Sequence, residues 1–389
     1  MRILIAASSN YIAFHGQAIF TMNLAEGLAR NGHEVMVAAG SDRGHPYREQ
    51  VNGVQLEAVR ALSLKVIHPD SYLPLFPSIA ARRILDAFHP DIVHIQDHYP
   101  LGRAMVVAAR RRGIRLVGTN HFMPDNLAAY VPLVPRIKPL YNFVLWHWMR
   151  EVFDRLDAVA APSRTAAEMM KKVGVRPPVF PISCGVDTNL FRFDPSVDRL
   201  TWRARYGIDL NRKVFLFVGR VDREKRLDVI IRAVGLLDRD DIQFMIAGNG
   251  AARASLMTLV QELGLEERVH FTGFIPNSDL PSLLNSIDMF CMPSEAELLS
   301  MASLQAMACA RPMLVADAVA LPELVTADGN GLLFHPSDID DAARCMALLA
   351  DHPERWPAMG AASLERIQPH CLENIVHRYE DLYRNALVR

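Results

Sequence analysis

The chain has 389 residues, of which half are hydrophobic and 22% are charged. This length exceeds one ordinary hydrophobic core and predicts two domains. The sequence has no run of the roughly 18–20 apolar residues that a membrane-spanning helix requires. The five cysteines are scattered without CxxC spacing, which is typical of reduced thiols in a cytoplasmic protein.

Charge is distributed unevenly along the chain. Residues 1–180 contain 21 Lys and Arg against 14 Asp and Glu, a net charge of +7, whereas residues 181–389 carry −8. Such asymmetry indicates that the N-terminal half meets an anionic surface, either nucleic acid or an anionic membrane. Chance drift in surface charge explains the same numbers, so both interpretations stay open.

Short apolar runs alternate with longer amphipathic stretches from one end of the chain to the other. The first run, MRILIA, is too short for a signal peptide and lacks a cleavage site. Such apolar runs are typical of parallel strands that helices cover on both faces. The expected strands are 2–7, 33–39, 91–96, 115–120, 158–163, 178–183, 213–219, 242–248, 269–274, 289–294, 312–317 and 331–335.

This alternation predicts an α/β protein with two doubly wound domains in tandem. We expect an N-terminal domain over residues 1–183 and a C-terminal domain over 184–369, followed by a helical tail. Ligands of such sheets bind beyond the carboxyl ends of the strands. Two domains facing each other would therefore form a cleft lined by strand-end loops.

One charged turn follows the strand expected at 213–219. It contains Gly219, Arg220 and Lys225. Arginine binds a diphosphate as a planar fork and lysine binds it as a compact charge. The turn is therefore a candidate phosphate site, although a solvated charged loop has the same composition.

Two further strand ends carry candidate ligand-binding residues. Gly248 and Gly250 flank Asn249 after the next strand and permit close backbone approach to a ligand. Glu297 lies in a loop before a helix expected to begin near Leu299, and the free amides of that helix start could hold a phosphate. Each pattern alone is equally typical of an ordinary turn or of acids in a first helical turn.

Taken in order, these segments resemble glycosyltransferase family 4, the large retaining GT-B family. The resemblance extends over nearly the whole chain. It implies two Rossmann-like domains facing a central cleft, with a C-terminal helix at about 370–389 returning to the N-terminal domain. The matching segments are MRILIA, LAEGLARNGHEV, CGVDTNLF, VGRVDREKRLD, AGNG, FTGFIPNSDLPSLLNSIDMF, PSEAELLSMASLQAMACARPMLVAD, ALPELV and NGLLFHPSD.

The resemblance assigns roles in donor binding to residues of the C-terminal domain. It implies that Arg220 and Lys225 stabilise the leaving diphosphate and that Glu297, with a catalytic role, contacts the donor sugar. Phe274 and Ile275 lie where main-chain groups meet the nucleobase. The remaining donor-binding positions are Gly16, Gly219, Gly248, Gly250, Leu298, Leu299, Ser300, Met301 and Gln305.

The chain departs from the family pattern at three places. Gln305 stands where the family commonly has a glutamate that binds ribose, and Gln can donate and accept one hydrogen bond each way. Leu298, Leu299 and Ser300 replace glycines, which predicts a narrower sugar pocket. In the N-terminal loop, Gly16-Gln17 replaces a double glycine.

The N-terminal domain offers three candidate residues at strand ends. His121 falls where related transferases place a histidine close to the donor sugar and acceptor, which implies a catalytic role, although a lone histidine is usually structural. Asp97 and His98 follow another strand and could orient acceptor hydroxyls.

The acceptor is expected to be a lipid or a glycan. Residues 130–150 mix aromatic and basic side chains, which suits an interfacial helix, and five arginines cluster nearby on one helix and its exit. An anionic membrane surface is thus a candidate partner, which would place a cytoplasmic protein peripherally at the inner face of the cell membrane. Ordinary core packing of the aromatics is the alternative. The clustered arginines are Arg103, Arg110, Arg111, Arg112 and Arg115.

The resulting hypothesis is a metal-independent retaining transferase that moves a hexose from UDP-hexose or GDP-mannose and needs no cofactor. The acidic runs at 238–241 and 338–341 lie away from strand ends, so turns are expected there rather than metal sites. Two alternatives are a catalytically weak GT-B scaffold protein and a sugar-nucleotide epimerase. Nucleic acid is not an expected partner, because no recognition motif accompanies the basic half.

Overall fold

The computed structural model describes residues 1–8, 16–63, 72–124, 137–327 and 329–388. The chain forms two compact units. The N-terminal unit comprises Met1–Gly185 and Leu372–Arg389, and the C-terminal unit comprises Val186–Cys371. Both junctions lie two residues beyond the expected domain limits at 183 and 369.

Strands and helices alternate through most of the chain. The strands are β1 (Arg2–Ala6), β2 (Glu34–Gly40), β3 (Tyr47–Val51), β4 (Val54–Val59), β5 (Ala61–Ser63), β6 (Tyr72–Pro74), β7 (Ile92–Ile95), β8 (Arg115–Thr119), β9 (Ala158–Ala161), β10 (Val179–Pro181), β11 (Lys213–Val218), β12 (Ile242–Ala247), β13 (Val269–Gly273), β14 (Met289–Met292), β15 (Met313–Ala316) and β16 (Gly331–Phe334).

The helices are α1 (Gly16–Arg30), α2 (Pro77–Phe88), α3 (Pro100–Arg110), α4 (Lys138–Phe153), α5 (Arg164–Lys172), α6 (Arg199–Arg205), α7 (Leu227–Leu237), α8 (Arg253–Glu262), α9 (Leu280–Ser286), α10 (Met301–Ala308), α11 (Ile339–Asp351), α12 (Trp356–Ile367) and α13 (Leu372–Val388). Short 3-10 turns occupy Arg223–Lys225, Leu321–Glu323, Pro353–Arg355 and Gln368–His370. None of the helices in the described ranges is long and apolar enough to cross a membrane.

The sheet of the N-terminal unit has the order β10-β9-β8-β7-β1-β2-β4-β3. Its neighbours are parallel except β3, which is antiparallel to β4. β1 pairs with β2 on one side and with β7 on the other, so the strand order reverses beside β1. The loops after β1 and β7 therefore flank a topological switch point.

The sheet of the C-terminal unit has the order β13-β12-β11-β14-β15-β16 and is parallel throughout. The order reverses between β11 and β14. Every residue of β12 and β14 is buried, as the apolar composition of the expected strands requires. The prediction of two doubly wound α/β units is confirmed.

A β-hairpin in the N-terminal unit was missed by the sequence analysis. β3 and β4 join through Asn52 and Gly53, whose φ angles of 48° and 85° are both positive. An Asn-Gly pair with two positive φ angles is the signature of a two-residue hairpin turn. The hairpin adds an antiparallel edge to an otherwise parallel sheet.

Helix α13 follows the C-terminal unit in sequence but packs on α1 of the N-terminal unit. Gly27 permits this approach, since a Cβ there would lie 2.4 Å from a methyl carbon of Val376. On α13, the buried Glu380 accepts hydrogen bonds from Asn31 Nδ2 at 2.9 Å and pairs with His33 Nε2 at 3.0 Å. Burial would raise the pKa of Glu380, but hydrogen bonds from Asn31, His377 and His33 outweigh it and lower that pKa to about 2.

Glu380→Gln should destabilise the N-terminal unit by about 2 kcal/mol at pH 7, because the buried carboxylate and its charge-assisted hydrogen bonds are lost. A lowered pKa stabilises the fold above the carboxyl's unfolded pKa of about 4.3, and this contribution disappears as the pH falls through about 2. Urea denaturation at pH 7, 5 and 3 should therefore show the gap between wild type and variant narrowing at low pH.

Asp381→Asn is the matched control, because Asp381 is 68% exposed in its side chain and pairs with Arg384 on the surface. It should change the stability by less than about 0.5 kcal/mol. A Glu380→Gln variant as stable as this control at pH 7 would show that the Glu380 contacts do not hold α13.

Candidate active site

The switch point of the C-terminal unit brings together two of the loops that carry sequence-predicted residues. Arg220 and Lys225 follow β11, Glu297 follows β14, and these strands are paired neighbours. The carboxyl ends of neighbouring parallel strands open on one edge of the sheet. The fold therefore places the predicted phosphate-binding turn next to the predicted sugar-binding acid.

One ion pair joins these two loops directly. Lys225 Nζ lies 2.6 Å from Glu297 Oε1, and both side chains are largely buried. The main chain continues this connection, because the Glu295 amide donates to the Glu224 carbonyl at 3.1 Å. Two residues predicted to contact the donor thus hold each other in place.

Arg220 is held by the carboxylates of its own loop. Its guanidinium lies 2.9 Å from Asp222 and 3.3 Å from Glu224. Asp222 is buried and also accepts a hydrogen bond from the Ala251 amide. Burial raises the pKa of Glu224. Sequence reasoning missed Asp222 and Glu224, which differ from solvated acids only in their burial.

Arg226 and Glu295 form a second connection between the loops. Arg226 has a left-handed backbone with φ of 49°, and its guanidinium lies 2.8 Å from Glu295. Ser337 donates to the same carboxylate at 2.5 Å. These contacts identify Glu295 as a loop-holding residue, whereas its neighbour Glu297 faces Lys225.

The glycines after β11 and β12 lie where backbone segments touch. Gly248 has φ of +142°, and a Cβ there would lie 1.8 Å from the Gly219 carbonyl oxygen. A Cβ on Gly250 would lie 2.3 Å from the Val221 carbonyl oxygen. These contacts give the glycines a structural purpose, whereas their contact with a donor stays a prediction.

The loop after β13 joins the same edge of the sheet. The Gly248 amide donates to the Gly273 carbonyl at 2.8 Å. Directly beyond Gly273, Phe274 is 56% exposed and Ile275 is buried. An exposed aromatic side chain beside main-chain groups is compatible with the predicted nucleobase contact.

The helix after β14 begins later than the sequence suggested. α10 starts at Met301 rather than near Leu299, and Ser300 caps it by accepting a hydrogen bond from the Ser303 amide at 3.2 Å. Leu298 and Leu299 are buried in the preceding loop, and Gln305 is buried on the helix. The narrower sugar pocket expected from Leu298, Leu299 and Ser300 stays a prediction.

In the N-terminal unit, Asp97 ties together three segments at the switch point between β1 and β7. Its carboxylate accepts hydrogen bonds from the Ser8 amide at 2.7 Å, the Ser8 hydroxyl at 2.8 Å and the Tyr99 amide at 3.1 Å. Gln17 donates from α1 at 3.3 Å. Burial raises the pKa of Asp97, and its effect exceeds that of these hydrogen bonds, which lower the pKa. The carboxylate is occupied within the unit, and its predicted acceptor role stays a prediction.

His98 is packed among aromatic rings. Its ring centroid lies 4.4 Å from Trp148 and 4.7 Å from Phe122, both nearly perpendicular. Burial lowers the pKa of His98 to about 3, so the ring is neutral at neutral pH. Within the described ranges neither ring nitrogen has a hydrogen-bond partner. The contact of His98 with acceptor hydroxyls stays a prediction. The side chains packed against its ring, Phe122 and Trp148, are aromatic.

His121 is only partly buried and follows β8. Its Nε2 lies 2.9 Å from Gln96 Oε1, and its ring packs 4.9 Å from that of Phe20. Sequence reasoning missed Gln96, which directly precedes Asp97 and resembles any polar residue at a strand end. At the start of α1, Gly16 is exposed, and no described atom lies within 4 Å of where its Cβ would be.

Three of the five clustered arginines in the N-terminal unit are paired with acids. Arg103 binds Glu151 through two hydrogen bonds of 2.9 and 2.7 Å. Arg112 lies 2.7 Å from Asp86 and Arg115 lies 3.2 Å from Asp157. The number of clustered arginines alone therefore overstates the positive potential of the cluster.

The acidic run at 238–241 forms the expected turn, whereas the run at 338–341 caps and begins α11 instead of forming a turn. Asp241 pairs with Arg239 and Lys213, and Asp338 caps α11. In the part of the chain that the structure describes, no group of three or more His, Cys, Asp or Glu side chains is arranged to hold a metal ion.

Two family models match the chain. The model described as Glycosyltransferase Family 4 matches residues 14–190. The model described as Glycosyl transferases group 1 matches residues 198–365. Together they account for most of both units.

Relatives match over nearly their full length. A GDP-mannose-dependent alpha-mannosyltransferase of Mycolicibacterium smegmatis is 29% identical, over 98% of this chain and 97% of that protein. A D-inositol 3-phosphate glycosyltransferase of Kineococcus radiotolerans is 27% identical, over 96% and 91%. The structure of sucrose-phosphate synthase from Thermosynechococcus elongatus has the same fold, with a TM-score of 0.84 and 20% identity over 100% of this chain and 99% of that one. These matches show that the chain belongs to glycosyltransferase family 4 and is a GT-B glycosyltransferase.

Proposed function

We propose that the enzyme transfers a hexose from a nucleoside diphosphate sugar to a lipid or glycan acceptor, with retention of the anomeric configuration and without a metal ion. The observation that carries this proposal is the Lys225–Glu297 ion pair of 2.6 Å. It joins a cationic turn to an acidic loop at a topological switch point, where doubly wound sheets bind their ligands.

The donor is GDP-mannose or a UDP-hexose. The Mycolicibacterium smegmatis relative is named as GDP-mannose-dependent, which favours GDP-mannose. Exposed Phe274 and buried Ile275 would meet the nucleobase through their main chain, and Gln305 would hydrogen-bond the ribose. Gln305 lacks the charge of the glutamate common in the family, so its ribose contact would be weaker.

Arg220 and Lys225 would stabilise the departing diphosphate. Donor binding would exchange the Lys225–Glu297 pair for two new contacts, in which Lys225 binds phosphate and Glu297 accepts hydrogen bonds from sugar hydroxyls. The preformed pair keeps both side chains in position before the donor arrives. Fixed positive groups that face developing negative charge lower a barrier without reorganisation.

The chemical step would be a front-face substitution. The bond between C1 of the sugar and the phosphate oxygen breaks, and the acceptor oxygen bonds C1 on the same face. The acceptor's proton passes to the departing phosphate oxygen. His121 would also take part in the transfer.

Lys225→Ala should lower kcat at least about 100-fold, because it removes one of two cations from the leaving group. Release of GDP or UDP, measured with GDP-mannose and UDP-glucose in the presence and absence of acceptor, gives the rate. The matched control is Lys213→Ala, at the opposite end of β11, where Lys213 pairs with Asp241. It should retain kcat within about twofold.

Near-normal turnover by Lys225→Ala would remove Lys225 from the leaving-group role. Binding of a nucleotide sugar by the wild type without any turnover would instead support a catalytically weak GT-B scaffold protein. Conversion of the donor to an isomeric nucleotide sugar without acceptor would support an epimerase.

We also propose that the first half of α4 contacts an anionic membrane surface, where a lipid acceptor would reside. Leu140, Phe143 and Val144 of α4 are exposed, as is Ile137 directly before the helix. Their spacing places them on one side of the helix, whereas Phe153 at its other end is buried. Exposed apolar groups on a helix favour insertion at the membrane interface. The proposal thus depends on the apolar residues of α4 more than on the ion-paired arginines. Residues 130–136 of the predicted aromatic and basic segment lie outside the described residues.

Phe143→Ser should weaken binding to vesicles containing phosphatidylglycerol by about tenfold, because a 69% exposed phenyl ring no longer enters the interface. Leu200→Ser, at a residue of the C-terminal unit that is 61% exposed, should bind like the wild type. Co-sedimentation measures both. Equal binding of the wild type to neutral and anionic vesicles, or no binding to either, would refute contact with an anionic membrane.

A further inference from the structure

A line of buried polar side chains connects His121 to helix α13. His121 Nε2 lies 2.9 Å from Gln96 Oε1, and Gln96 Nε2 lies 3.3 Å from His94 Nε2. His94 Nδ1 lies 2.8 Å from the Tyr383 hydroxyl on α13. Polar groups buried in this way remain only where each has a partner, so these contacts constrain one another.

We infer that Gln96 is a positioning residue for His121. Its Oε1 accepts a hydrogen bond from Nε2 of His121 and so orients the imidazole ring. This inference rests on the proposed function only in giving His121 a role in transfer. The geometry of the line itself is independent of that role.

The direction of the hydrogen bonds follows from the chemistry of an amide. The NH2 group of Gln96 can only donate and its oxygen can only accept. Gln96 presents its nitrogen to His94 and its oxygen to His121. Nε2 of His94 therefore accepts, and Nε2 of His121 must carry a proton.

This direction requires a neutral His94 ring, in which Nε2 can accept. Burial, with a smaller effect from the charge of His121, lowers the pKa of His94 to about 3. The ring is therefore neutral at neutral pH and has one N–H and one lone pair. With Nε2 accepting, Nδ1 donates to the Tyr383 hydroxyl at 2.8 Å. Reversal of the Gln96 amide would require both histidines to change tautomer together.

A second set of contacts holds the same His94 ring. Thr119 Oγ1 lies 2.8 Å from His94 Nε2 and 2.9 Å from the Tyr379 hydroxyl. Thr119, Tyr379 and Tyr383 are all fully buried. α13 thus supplies one hydroxyl that contacts His94 directly and a second that contacts it through Thr119, and His94 in turn contacts the Gln96 amide.

The consequence for His121 is a defined role for each nitrogen. With Nε2 protonated towards Gln96, the neutral ring carries its lone pair on Nδ1. Gln96 is an uncharged acceptor, so it orients the ring without favouring the imidazolium. A carboxylate at the same position would favour the charged ring and raise the pKa of His121 by about 1–2 units.

The test uses ¹⁵N NMR of the full-length enzyme labelled at histidine, with the His121 signal assigned by its loss in His121→Gln. In the wild type at high pH, we expect Nε2 to be the protonated nitrogen. Gln96→Met should redistribute the proton towards Nδ1 and lower kcat about 10- to 100-fold, because the ring is no longer aligned. KM for the nucleotide sugar should change by less than about threefold.

Gln96→Glu is the second variant, and its readout is the pH dependence. The pKa of His121 followed by NMR should rise by about 1–2 units, and the kcat/KM profile should shift to higher pH by the same amount. Gln243→Met is the matched control, because Gln243 is an equally buried glutamine in the C-terminal unit. It should leave the His121 signals and the pH profile unchanged.

An unprotonated Nε2 in the wild type, or a His121 signal that neither Gln96 variant alters, would overturn the inference. If the variants alter the NMR signals but not the turnover, Gln96 positions His121 as inferred and the role of His121 in transfer is wrong. The two proposals therefore fail in distinguishable ways.

Discussion

The central strands of both sheets are buried on both faces, and this constraint decides where the polar chemistry of this enzyme can lie. A buried strand offers no position for a solvated charge, so charged side chains collect in the loops beyond the strand ends. At the two switch points these loops meet and bind each other through Lys225 and Glu297 in one unit and through Ser8 and Asp97 in the other. Sheet topology thus decides which candidate residues meet in each unit, and no single motif does so.

Much of the fold could be predicted because most of its strands are short and apolar. All of the expected strands are present, with ends shifted by one or two residues. The hairpin of β3 and β4 escaped because its first strand, Tyr47–Val51, is half exposed and polar. The available signal was the Asn52-Gly53 turn, which an analysis based on apolar runs does not detect.

The site was predictable where chemistry follows position along the chain, and less so where it follows contacts between distant segments. Arg220, Lys225 and Glu297 stand at strand ends, so strand assignment locates them. Gln96 and His121 belong to different loops, and their pairing depends on the register of β7 against β8. The same applies to Arg103 of α3, because its partner Glu151 lies far away in sequence.

Because α13 belongs to the N-terminal unit, that unit can complete its core only at the end of translation. Tyr379, Glu380 and Tyr383 fill the space beside α1 and β8, yet the ribosome makes them after the whole C-terminal unit. The N-terminal unit emerges early but cannot close its core until α13 arrives. The surface of α1 and β8 that α13 contacts therefore stays uncovered while the second unit is translated. Chaperone binding would be most useful during this period.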